Sequence, residues 1–241
     1  MSFFKPQQPI LQKKQLYCNL ETYRQMRCVR VEVVEKLYLS GIYTCVDQAM
    51  LVWGLVTGII FMGGQFLTIS WQIQAIFWSI LTLVGIIAMI TLTHSWTVWE
   101  KITELLYAWV ILMLLGMALT DSAIFLGWGY ILSHLCHLWL ILSAIGYGIT
   151  GWMLHSRAFF LSALIHAIMV FLLPLFGGWQ FAATGFAMTS NLWLFSEAQW
   201  DMLLPRELKQ LKGNDALELT PAGISRFPTS ARGGKDFAGI G

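Results

Sequence analysis

Charge is scarce in this sequence. Of its 241 residues, 12% are charged and 57% are hydrophobic, whereas an ordinary soluble domain has about 25% charged residues. So few charges cannot cover a water-exposed surface, which argues against a soluble globular protein. The net charge of +2 is also too small to indicate a nucleic-acid partner.

Recognisable catalytic and cofactor motifs are lacking as well. The sequence contains no phosphate-binding glycine loop, zinc-protease helix motif, GxSxG elbow or selectivity-filter sequence. Its four cysteines show no CxxC spacing, so neither a zinc site nor a disulfide framework is indicated. These absences favour a protein that is not an enzyme.

Long apolar stretches are what the sequence does contain. A bilayer core about 30 Å thick is crossed by roughly 20 helical residues, and every backbone amide in it must be satisfied within the segment. Six stretches reach that length, so we predict an all-α, polytopic membrane protein with about six transmembrane helices. The stretches lie near residues 46–66, 73–93, 105–126, 130–150, 158–176 and 180–199.

The basic residues predict the orientation of these helices, because Lys and Arg favour the cytoplasmic side of short loops. Seven precede the first stretch, Lys101 follows the second, Arg157 follows the fourth and six follow the sixth. The three opposite connections contain none. The pattern predicts that both termini are cytoplasmic, in a cell membrane or another energy-transducing membrane.

Three regions follow from this pattern. Residues 45–200 form the predicted six-helix domain, and residues 201–241 form a cytoplasmic tail whose Gly and Pro content predicts that it is largely disordered. Residues 1–44 form a cytoplasmic segment in which apolar residues recur at helical spacing over 20–38, which predicts an amphipathic helix on the membrane surface. Residues 28–33 also alternate with the period of a strand, which is the alternative.

Histidines are the candidate functional residues. On the fourth predicted helix, His137, Ala144, Gly148 and His155 share one face, where small residues would allow a close approach by another helix or a flat cofactor. His166 lies near the middle of the next helix. Residues of this kind inside a membrane are candidates for function.

A haem or pigment could bind between His137 and His166, through imidazole nitrogens, if the two helices are neighbours. His94 and His155, both near the cytoplasmic interface, could form a second level. The alternative is that these histidines make hydrogen bonds between helices or contact interfacial water.

Three carboxylates are further candidates. Glu197 and Asp201 are four residues apart, so on a continuous helix they would share a face and could form a carboxylate pair. Asp121 is the acid on the predicted outer side, where it could cap a helix or end the third span near residue 120.

Three functions are compatible with these features. The leading hypothesis is an accessory or assembly component of a membrane complex, with the lipid bilayer and other membrane proteins as partners. The first alternative is a redox protein that binds b-haem or a pigment. The second alternative is a small transporter or channel, which would need a continuous polar route.

Overall fold

The computed structural model describes residues 9–13, 29–31 and 41–201, and helices dominate this part of the chain. The α-helices are α1 Cys45–Phe66, α2 Trp71–Glu100, α3 Thr103–Phe125, α4 Gly129–Ser133, α5 Leu135–Leu154, α6 Arg157–Leu172 and α7 Gln180–Glu197. A 3₁₀ helix, Leu173–Trp179, connects α6 to α7.

Five helical segments are long and apolar enough to cross a membrane. The fifth, Arg157–Glu197, contains α6, the 3₁₀ helix and α7. It folds back on itself, because Ser162 Oγ of α6 donates a hydrogen bond to Asn191 Oδ1 of α7 at 2.8 Å. Gly177, in the connecting turn, has a positive φ of 51°, which glycine adopts readily. The chain is therefore a helical integral membrane protein, as its composition predicts.

The long helices run alternately up and down and pack side by side. Packing of α7 against α1 closes the row of helices on itself, and Thr57 Oγ1 of α1 lies 3.2 Å from Thr189 Oγ1 of α7. We use "strand end" for the end at which α1, α3 and α6 begin and α2, α5 and α7 end. The opposite end is the "turn end".

Glycines let the backbones of α1 and α7 approach closely. A Cβ atom on Gly185 of α7 would lie 2.7 Å from Cβ of Phe61 on α1. A Cβ atom on Gly54 of α1 would overlap the indole ring of Trp193 on α7. Small residues have this function in membrane helices, where close packing replaces hydrophobic burial as the source of association.

Two small antiparallel sheets accompany the helices. Strand β1, Leu11–Lys13, pairs with β4, Ala198–Trp200, and β2, Val29–Val31, pairs with β3, Gly41–Tyr43. The helix predicted over residues 20–38 is therefore wrong at Val29–Val31, where the strand pattern prevails. The physical reason is a partner strand, which the local periodicity did not reveal.

The limits of one helix differ from the sequence expectation, and an alternative for another is excluded. The third predicted stretch, 105–126, matches α3, which continues to Phe125, so the alternative end near residue 120 is wrong. The fourth predicted stretch divides at His134, whose backbone is not helical, so that α4 precedes α5. The remainder of the predicted surface helix and the predicted disordered tail beyond Asp201 lie outside the described residues.

Candidate functional site

Asp201 caps the beginning of α6. Its Oδ1 accepts hydrogen bonds from Ser156 Oγ at 3.1 Å and Ala158 N at 3.0 Å. Its Oδ2 accepts from Arg157 N at 3.2 Å and from Arg157 Nε at 2.6 Å. The carboxylate is 5% exposed, and it joins the end of α7 to the start of α6. An acid in this position satisfies free N–H groups and interacts favourably with the helix dipole.

Glu197 has a different partner, because Tyr43 Oη donates a hydrogen bond to its Oε1 at 2.6 Å. The helix ends at Glu197 and the chain continues as a strand, so Glu197 and Asp201 do not share a helical face. The carboxylate pair expected from their spacing is wrong for that reason. Burial, reinforced by the hydrogen bond to Glu197, raises the pKa of Tyr43 above its ordinary value, so the phenol keeps its proton at neutral pH.

Asp47 also has a structural position, in the first turn of α1. Its Oδ2 accepts a hydrogen bond from Thr44 N at 2.8 Å, and Asp47 N donates to Thr44 Oγ1 at 3.3 Å. The two bonds form a capping box, which satisfies two backbone donors at the helix start. Asp47, Glu197 and Asp201 therefore each accept a hydrogen bond that stabilises the structure at the strand end.

His166 is the most enclosed of the predicted site residues. It is fully buried on α6, and its ring centroid lies 4.9 Å from that of Tyr147 on α5. Its Nδ1 is 2.8 Å from the carbonyl oxygen of Ser162, a contact that requires the proton on Nδ1. Its Nε2 is buried with no hydrogen-bond partner among the described residues. That lone pair is chemically able to ligate a metal or accept a hydrogen bond.

The other predicted histidines occupy less enclosed positions. His137 is half-buried near the turn end of α5, with its ring 5.2 Å from that of His134. His94 is exposed on α2, and His155 is the half-buried residue that follows α5, with a left-handed φ of 49°. In residues 9–13, 29–31 and 41–201, no three His, Cys, Asp or Glu residues cluster as metal ligands would. A haem or pigment between His137 and His166 stays a prediction.

A cavity inside the bundle is the site that sequence reasoning missed. It has a volume of about 160 Å³ and lies between α1, α2, α3 and α5, with contributions from α6, α7 and Trp200. Its lining is mostly apolar, and none of the five histidines belongs to it. Nine aromatic residues belong to the lining: Trp53, Phe61, Trp78, Trp96, Trp109, Trp139, Tyr147, Phe159 and Trp200.

Four indole N–H groups of this lining fall into two classes, those with a hydrogen-bond acceptor and those without one. Trp109 Nε1 donates to Thr150 Oγ1 at 3.0 Å, and Trp139 Nε1 donates to Thr120 Oγ1 at 3.2 Å. The indole nitrogens of Trp53 and Trp96 are buried and have no partner in the described part of the chain. Most buried polar groups have partners, so the two unpaired donors are unusual.

Asp121 lies at the turn end of this cavity. Ser79 Oγ of α2 is within hydrogen-bond distance of both its carboxylate oxygens, at 3.0 Å and 2.9 Å, and both residues belong to the lining. The spacing of the α3 lining could have revealed this position, because residues four apart share a helix face. The residues at that spacing are Trp109, Met113, Met117 and Asp121.

Comparisons with known proteins do not assign this chain to a family. No protein-family model, no curated protein and no solved structure matches the chain.

Proposed function

We propose that this chain is a six-crossing membrane protein with cytoplasmic termini that serves as an accessory or assembly component of a membrane complex. The observation that carries the proposal is the structural use of the strand-end acids: Asp47 caps its own helix, and Glu197 and Asp201 accept hydrogen bonds from other segments. Groups committed in this way are poorly placed for acid–base chemistry, which needs access to a substrate.

The number and direction of crossings are inferred from the packing and the charges. The fold-back at the Ser162–Asn191 hydrogen bond supports counting α6 and α7 as separate crossings. Lys101, between α2 and α3, and Arg157, the first residue of α6, lie at the strand end, whereas the turn-end connections of the sequence contain neither Lys nor Arg. By the positive-inside rule, this distribution supports a cytoplasmic strand end.

One face of α5 supports the involvement of a membrane partner. Ala144 and Gly148 are partly exposed and one helical turn apart. A Cβ atom on Gly148 would have no neighbour within 4 Å, so no helix of the described chain packs closely there. Small residues one turn apart are typical of surfaces at which a second membrane helix approaches.

We expect the protein to migrate with a defined set of membrane proteins when its native membrane is dissolved in mild detergent. Native electrophoresis followed by mass spectrometry of the excised band measures this directly. Gly148→Leu should release the partners, because the new side chain fills the surface at which a second helix would approach. The fold should survive, since the site has open space around it.

Ser190→Leu is the matched control for this substitution. It places the same side chain on an exposed face of α7, so its partners should be retained. A wild-type protein that migrates alone would contradict the accessory function. Equal release by both variants would contradict the role of the α5 face.

A further inference from the structure

We propose that the cavity binds an amphiphile with an ammonium group at Asp121 and a single apolar chain extending toward the strand end. This inference goes beyond the accessory function, because it concerns the interior of the bundle. It rests on the hydrogen bonds of Asp121, the tryptophans that line the same cavity, and the apolar character and volume of that cavity.

Among the described residues, no Lys, Arg or His forms a salt bridge with the half-buried carboxylate of Asp121. Its side-chain partner is the neutral hydroxyl of Ser79. The sequence has no Lys or Arg in residues 37–100 or 102–156, and Lys101 is about 30 Å away along α3, at 1.5 Å per residue. A carboxylate shielded from water is stable when a cation pairs with it. The turn end of the cavity therefore presents an unmatched acid.

Two tryptophans make the same location favourable for an organic cation. Trp78 directly precedes Ser79 on α2, and Trp139 of α5 donates a hydrogen bond to Thr120, the residue before Asp121. Both indoles belong to the cavity lining, as Asp121 does. The face of an indole ring attracts an ammonium group, and the attraction strengthens where water is excluded. A cavity lined by a carboxylate and by indole rings provides the groups that recognise an alkylammonium ion.

From this end toward the strand end, the lining suits a flexible chain. Met117, Met113 and Trp109 follow Asp121 at intervals of four residues along α3, over about 18 Å at 1.5 Å per residue. Methionine side chains adapt to irregular apolar shapes. The volume of about 160 Å³ is close to the roughly 150 Å³ of an engineered cavity that binds benzene. A space of this volume suits a single alkyl chain better than a macrocycle.

The probes that test the proposal are hexylamine, which is protonated at neutral pH, and 1-hexanol, which has the same chain without the charge and, like benzene, six carbon atoms. Each is titrated into the full-length protein in uncharged maltoside micelles, and binding is followed by tryptophan fluorescence. We expect wild-type protein to bind the amine about tenfold more tightly than the alcohol, as one charge-assisted hydrogen bond would give. Asp121→Asn should abolish that preference and leave the affinity for the alcohol unchanged.

A control variant completes the test. Glu104→Gln removes an exposed carboxylate from the same helix, and it should retain the preference for the amine. The partition of each probe into protein-free micelles is measured separately, and each affinity is corrected for it. Equal binding of amine and alcohol by the wild-type protein overturns the proposal without any variant, as does an unchanged preference in Asp121→Asn.

Discussion

Replacing Asp201 with alanine is expected to lower the free energy of unfolding by about 3 kcal/mol. The substitution removes the carboxylate oxygens that accept hydrogen bonds from Ser156 Oγ, Ala158 N and the Arg157 backbone and side chain. Loss of a helix cap alone costs about 1 kcal/mol. Leaving the Arg157 guanidinium without this carboxylate adds to that loss, although its partial exposure of 26% limits the amount.

The measurement is reversible unfolding in mixed micelles with increasing dodecyl sulfate, followed by circular dichroism. Asp201→Asn retains one acceptor oxygen and should show an intermediate loss. Glu104→Ala removes a carboxylate from an exposed position near the start of α3, and its effect should stay within about 0.5 kcal/mol. An Asp201→Ala protein as stable as Glu104→Ala would show that the cap contributes little to the fold.

The second large effect is expected for Gly146→Ala, which should destabilise the bundle by about 2 kcal/mol. A Cβ atom at Gly146 would meet three atoms of the Trp109 ring at 2.6 to 2.8 Å. Trp109 cannot move aside without losing its hydrogen bond to Thr150, 3.0 Å away. The added methyl group therefore forces α3 and α5 apart at the wall of the cavity.

Gly148→Ala is the matched control, two residues farther along the same helix. Its Cβ atom would meet nothing within 4 Å, and alanine is favoured over glycine inside a helix by about 1 kcal/mol. This variant should be as stable as the wild type or slightly more stable. The same unfolding assay compares the two proteins, and similar losses in both would contradict the close contact of Gly146 with Trp109.

The positions of the long helices could be predicted because the bilayer sets a simple requirement for apolar length. The predicted stretch at 105–126 and helix α3, Thr103–Phe125, differ by two residues or fewer at each end. The short strand at Val29–Val31 was harder to predict, because its partner Gly41–Tyr43 lies ten residues away and carries no strong signal of its own. Local periodicity cannot decide between helix and strand when a distant pairing contributes the hydrogen bonds.

The candidate site shows the same limit. An acid in an apolar stretch reads as a helix boundary, yet Asp121 lies inside α3 because Ser79 from another helix and a cavity accommodate it. The carboxylate of Asp201 caps a helix that begins 44 residues earlier in the chain. The spacing along α3 could place Asp121 on one face with Met117, but it could not identify Ser79 as its partner or Asp201 as the cap of α6, since both contacts depend on how separate segments pack. The histidines were candidate site residues because ionisable side chains are rare in membrane helices, but none of them lines the cavity.

The most direct test of the account is the accessibility of single cysteines in intact cells to a membrane-impermeant maleimide. In a background without the natural cysteines, Gly129→Cys and Gly178→Cys place thiols at exposed turn-end sites where a new Cβ meets nothing. We predict that both react in intact cells. A cysteine added after Gly241 should react only after the membrane is permeabilised. Reaction of that terminal cysteine in intact cells, or protection of either turn-end cysteine, would contradict six crossings with cytoplasmic termini.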